Sequence, residues 1–113
     1  MQYKGTRLEV DLDALAHNYH YLRSKISDST KFMSVVKANA YGHGIVPIAQ
    51  KLQDLGTDYF ATAYTEEGEE LRDNGIIKPI LILHPQQHNL EICIDRCLEH
   101  VSYPHLTLLT ILR

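Results

Sequence analysis

The stretch VVKANAYGHG, residues 35–44, gathers the side chains best suited to chemistry: an amine at Lys37, a phenol at Tyr41 and an imidazole at His43, set among alanines and glycines. Lys37 closes an apolar run, and an ammonium group is out of place at the end of a buried strand unless its amine is used. In parallel β/α architectures that end of the strand is where chemistry is carried. Helices packed around it withdraw water from the charged form, and a lysine offering a neutral amine is what Schiff-base formation requires. The alternative is a lysine whose stem packs while its head reaches water. The small residues that follow let backbone approach a ligand closely. The next helix offers free N–H groups to an anion such as a phosphate. Tyr41 reads either as a hydrogen-bond donor to a cofactor or as a half-buried packing residue. His43 reads as a group that caps or supports the backbone.

The elements that must position these groups are legible in the periodicity. TRLEVDL alternates, with Leu8, Val10 and Leu12 on one face, as in a half-buried strand. Leu15, Tyr19, Leu22 and Ile26 then recur at helical spacing, with Asp11 or Asp13 available as a cap. KFMSVVKA is nearly continuous in apolar residues, as in a strand covered on both faces. Ile45, Ile48, Ala49, Leu52 and Leu55 share a helix face, with Pro47 in the first turn and Gly56 at the end. DYFATA is a short strand. Thr65 caps a helix through EEGEELRDN that Gly75 ends, and PILIL is a further buried strand. NLEICIDRCLEH is helical, VSY reads as a strand, and HLTLLTILR starts a helical pattern and stops within it. Strands alternating with helices across short links predict β/α units on a parallel sheet.

Composition narrows the partners. With 11 basic and 14 acidic residues in 113, the chain lacks the clustered basic face that nucleic acid requires. No apolar run approaches the roughly 20 residues that span a bilayer, and no apolar segment follows the first charges as in a signal peptide. A cytoplasmic location is the expectation. Cys93 and Cys97, spaced i, i+4, read as small buried residues on one helix face. The pairs His17 with His20 and His84 with His88 do not amount to a metal site.

The ten-residue string VVKANAYGHG resembles the pyridoxal-phosphate attachment motif of alanine racemases. RLEVDLDALAHNYHYLR resembles that family's opening segment, and KPILILHP a later strand. The resemblance weakens beyond about residue 84. It implies an α/β fold, the N-terminal portion of an eight-stranded β/α barrel of the TIM type, incomplete here at three or four barrel strands. The first alternating strand would pack with a β-rich C-terminal domain that this chain does not contain. On this reading residues 1–113 are a partial cofactor-binding barrel domain. The implied activity is the interconversion of L-alanine and D-alanine through a pyridoxal-phosphate aldimine, supplying D-alanine for peptidoglycan, in a homodimer with active sites at the subunit interface. Lys37 would carry the cofactor and serve as the base on the D-alanine side. Tyr41 would contact the cofactor, and Val35 and Leu83 would line its pocket. The second base, a tyrosine of the partner subunit, and two arginines that contact the cofactor lie later in the family's chain. The expectation for the isolated chain is little or no activity. Two other readings share the barrel: an amino-acid decarboxylase, and a non-enzymatic pyridoxal-phosphate-binding homeostasis protein. The AYGHG continuation after Asn39 separates the racemase reading from both.

Overall fold

The structure, a computed structural model, describes residues 5–100. The expected helical pattern at HLTLLTILR and the strand at VSY lie outside those residues. Helix α1 (Leu12–Ser24) leads to strand β1 (Met33–Val35), a short helical segment α2 (Lys37–Tyr41) and helix α3 (Ile45–Leu55). Then follow β2 (Tyr59–Thr62), α4 (Thr65–Asp73) and β3 (Ile80–Ile82). A 3-10 turn (Gln87–Asn89), α5 (Leu90–Asp95) and β4 (Leu98–His100) complete the described chain. The four strands form one sheet in the order β1-β2-β3-β4, every pair parallel. This is the α/β alternation that the sequence implies.

Register decides which side chains share a face. Ser34, Phe60, Ile80 and Leu98 stand opposite one another across the sheet, and all four are buried. The pleat sends the next row, Val35, Ala61, Leu81 and Glu99, to the other face. There the expectation of a strand covered on both sides is corrected. Met33 and Val35 are each 42% exposed, because β1 is an edge strand whose second face is open. A continuous apolar run does not report which neighbours cover it.

Three local expectations also change. The alternating segment before α1 joins no ladder among the described residues, and Leu8 is 64% exposed. Alternation marks a strand only where another element takes up its backbone groups. Thr65 is not the cap of α4 but its first residue, buried with its hydroxyl near Cys93. Instead the Glu67 carboxylate accepts the N–H groups of Ala63 and Tyr64, both at 2.9 Å. A carboxylate in the first turn reaches back past the cap and suits the positive end of the helix. The last helix ends at Asp95. Cys97, at φ 55°, lies beyond the helix and is exposed, and Leu98 enters the buried row beside Ile80. Strand pairing there overrides helical spacing, and only Cys93 is buried as expected.

Two contacts set how closely these layers meet. Gly68 lies within α4 where a Cβ would come 2.9 Å from Ile82 Cδ1 and 3.0 Å from Leu98 Cδ1. At the opposite end of the sheet from Lys37, the Arg72 guanidinium donates to four backbone carbonyls, those of Ile76, Lys78, Arg96 and Cys97, at 2.8–2.9 Å. It thereby ties α4 to the chain entering β3 and β4. Burial pulls Arg72 below its ordinary pKa, which is high enough that the group stays charged.

Where β1 begins, the Asp58 carboxylate accepts the Phe32 N–H at 2.8 Å, and the Phe32 carbonyl accepts the N–H groups of Asp58 and Tyr59. The Phe32 hydrogen bond is the main reason that the Asp58 carboxyl is held below its ordinary value. A lowered carboxylate pKa contributes stability that is present above the ordinary range and is lost as pH falls through the lowered value. Asp58→Asn should therefore flatten the stability profile below about pH 4, as read from urea midpoints at a series of pH values. A variant with the parent's acid slope would mean that the hydrogen bond does not discriminate the charged form. Gly68→Ala should cost about 1–3 kcal/mol by overpacking. An unchanged denaturation midpoint would show that α4 can retreat from the sheet at no cost.

Candidate active site

The candidate site lies at the C-terminal ends of the strands. Hydrogen bonds from Val36 N to Ala61 O, Leu83 N to Thr62 O and His84 N to Ala63 O carry the ladder past the strand ends. The strands themselves stop there: Val36 leaves the extended conformation at ψ 22°, Lys37 opens α2, and Leu83 stands one residue past β3. Lys37 is half-buried, so water is withdrawn from it only in part.

After Lys37 the backbone turns with the unusual hand. Ala38, Asn39, Ala40 and Tyr41 have φ of 53°, 55°, 54° and 56°, and Gly42 follows at 90°. L-residues resist this conformation at roughly 1–2 kcal/mol each, so it persists only where the surroundings impose it. The Val36 carbonyl accepts the Ala40 N–H at 2.9 Å, closing a loop around Lys37. The Ala38 and Asn39 carbonyls accept from Gly42 and Gly44 at 3.0 and 2.9 Å. The Asn39 side chain accepts the Ile45 N–H at 2.8 Å, and the Ala40 methyl is buried.

This arrangement corrects the expectation of a phosphate cradle at the start of α3. The Ile45 N–H is already taken by Asn39 and Pro47 has none, leaving little for an anion. His43 does what its sequence context suggests: its Nδ1 lies 2.9 Å from the Ala40 carbonyl oxygen. That oxygen can only accept, so Nδ1 carries the proton. Tyr41 is 61% exposed. It shares a cleft of about 390 Å³ with Val35 and His43, walled on the far side by residues of the segment before α1 and of α1 itself. The site residues are thus divided. Val35 and Tyr41 meet on that cleft, whereas Lys37 and Leu83 do not line it. Beyond β2 and β3, the Tyr64 and His84 rings lie 6.0 Å apart between centroids at the same end. Among the described residues no cluster of three His, Cys, Asp or Glu side chains is arranged for a metal ion.

Asn39 and Ala40 were not singled out by residue-type reasoning. A signal existed, since asparagine tolerates left-handed backbone more readily than most residues, and Asn39 stands three residues before Gly42.

A parallel β/α sheet with an amine just past its first strand is the arrangement of α/β proteins, barrels among them, whose sites lie at the strand ends. Residues 10–106 match the family model of the alanine racemase N-terminal domain, and the chain belongs to that family. Among curated relatives it is 49% identical over 80 residues to alanine racemase 2 of Caldanaerobacter subterraneus subsp. tengcongensis, covering 71% of this chain and 21% of that one. Among solved structures it is similar to alanine racemase from E. faecalis, with a TM-score of 0.83 and 30% identity, over 92% of this chain and 28% of that one. A Clostridium difficile 630 alanine racemase in complex with cycloserine aligns with a TM-score of 0.80 and 39% identity, over 81% of this chain and 26% of that one. The chain therefore spans 21–28% of the length of these relatives. Its four strands correspond to the N-terminal part of their fold.

Proposed function

We propose that this chain is the lysine-bearing part of a pyridoxal-phosphate-dependent alanine racemase, an isomerase that interconverts L-alanine and D-alanine and so supplies D-alanine for peptidoglycan. The observation that carries the reading is Lys37 at the end of β1, inside a ten-residue motif, in a chain of this family. The relatives found are alanine racemases, which favours this reading over a decarboxylase or a non-enzymatic homeostasis protein.

The residues present fit the attachment of the cofactor, though not its phosphate. A half-buried residue bearing the amine stands two residues past β1, Leu83 stands one residue past β3, and an exposed phenol follows the amine by four residues. When bound, pyridoxal phosphate withdraws electrons from the Cα of an amino acid joined to it. Lys37 holds the group and, once freed, its amine takes or returns a proton at Cα from one side. Tyr41 would donate a hydrogen bond to the cofactor, and Val35 and Leu83 would offer it apolar contacts. Racemisation needs a second proton carrier on the opposite side. In the family that the sequence resembles, this is a tyrosine of the partner subunit. The proposal accordingly includes a cytoplasmic homodimer in which residues 1–113 form part of the barrel domain. It leaves the 113-residue chain without appreciable racemase activity of its own. Should activity persist, Tyr41, Tyr64 and His84 are the side chains to substitute first.

Borohydride reduction in the presence of pyridoxal phosphate, followed by peptide mapping, should label Lys37. Label on Lys31, Lys51 or Lys78 instead would overturn the assignment. In a protein that contains the whole site, Lys37→Ala should abolish both racemisation and the visible absorbance of the bound cofactor. There Tyr41→Phe should lower turnover or cofactor affinity by no more than roughly tenfold, the worth of one hydrogen bond of about 0.5–1.5 kcal/mol. Unchanged values of both would reduce Tyr41 to a packing residue.

A further inference from the structure

We infer that His43 is a positioning residue, whose Nδ1–H latches the left-handed turn that fixes where the Lys37 amine and the Tyr41 phenol stand. The latch follows from the backbone geometry; its consequence for cofactor attachment rests on the proposed function above.

Ala40 is the pivot of the turn. Its N–H is given to Val36, which encloses Lys37, and its methyl is 4% exposed. Its carbonyl receives two donors from one residue, the His43 N–H at 3.1 Å and the His43 Nδ1–H at 2.9 Å. Without the ring, one backbone bond would hold that carbonyl in a conformation unfavourable at four successive residues. Tyr41 follows the latched carbonyl directly. Release of the turn therefore moves the phenol and loosens the loop around Lys37 together. Asn39 is the complementary tie, fastening the same turn to the first N–H of α3.

The latch is indifferent to protonation. Nδ1 carries hydrogen both in the neutral Nδ1–H tautomer and in the imidazolium. Glu9, Asp11 and Tyr41 are the other titratable groups lining the cleft shared with His43.

The test separates the two ring nitrogens. An asparagine amide nitrogen lies close to where Nδ1 stands, whereas a glutamine amide nitrogen reaches toward the place of Nε2. His43→Asn should therefore keep the latch, and His43→Gln and His43→Ala should lose it. Two readouts need no cofactor. Nitrogen NMR of the parent should show the ring with hydrogen on Nδ1. Amide exchange at Ala40, Gly42 and Gly44 should be about three- to tenfold faster in the Gln and Ala variants and near the parent in the Asn variant. A third readout is borohydride trapping with pyridoxal phosphate. Labelling of Lys37 should fall by a similar factor in the Gln and Ala variants and recover in Asn, while Lys31, Lys51 and Lys78 label as in the parent. An Nε2–H tautomer in the parent, or Asn and Gln variants that behave alike, would overturn the inference. Absence of preferred labelling at Lys37 in the parent would instead count against the proposed function, and the tautomer and exchange results would still decide the latch.

Discussion

The Lys37 end of the sheet depends on one hydrogen bond, from the Ala40 N–H to the Val36 carbonyl at 2.9 Å. It closes the loop that contains Lys37 and begins a turn in which four successive non-glycine residues have positive φ. Such backbone is retained only where its surroundings over-determine it. Here Asn39 ties it to α3, the Ala40 methyl is buried, and His43 holds the Ala40 carbonyl. The outcome is a backbone of fixed hand between the residue that carries the amine and the residue that carries the phenol. For a lysine, whose own stem is flexible, that fixed hand is the main contribution the backbone can make to preorganisation.

The rest of the fold keeps the end of that strand in place. β1 is an edge strand of three residues, so its register rests on β2 and on the contacts where it begins. Asp58 and Phe32 fix that beginning. Farther along the sheet, Gly68 lets α4 lie close on β3 and β4, and Arg72 gathers four carbonyls where those strands start. The Arg72 ties lie at the end of the sheet opposite Lys37, and the run of four positive-φ non-glycine residues lies at the end that bears it, with Cys97 a single further case just before β4.

Much of this was legible in the sequence. The periodicities of Ile45–Leu55 and of the PILIL run marked a helix and a buried strand where both occur, and Gly56 and Gly75 ended helices with positive φ. The place of Lys37 just past the end of β1 was legible because the charge closes an apolar run. What was not legible depends on partners distant in sequence. Met33 and Val35 have the same composition whether or not a neighbour covers them, and Leu98 enters a strand because Ile80 stands beside it. Thr65 and Glu67 are both plausible caps by residue type, and only the buried place of Thr65 leaves the role to Glu67. The left-handed turn was hidden for another reason: Ala38 and Ala40 prefer the opposite hand, and the groups that reverse them act together.

The most direct measurement is of the backbone couplings that report φ at Ala38, Asn39, Ala40 and Tyr41, made by NMR on the chain in solution. Positive φ at all four, retained when Lys37 is replaced by alanine, is the expected result, since the turn is held by Val36, Asn39, Ala40 and His43 and not by the lysine. Right-handed or averaged values at these residues would contradict the view that a fixed left-handed turn presents the amine.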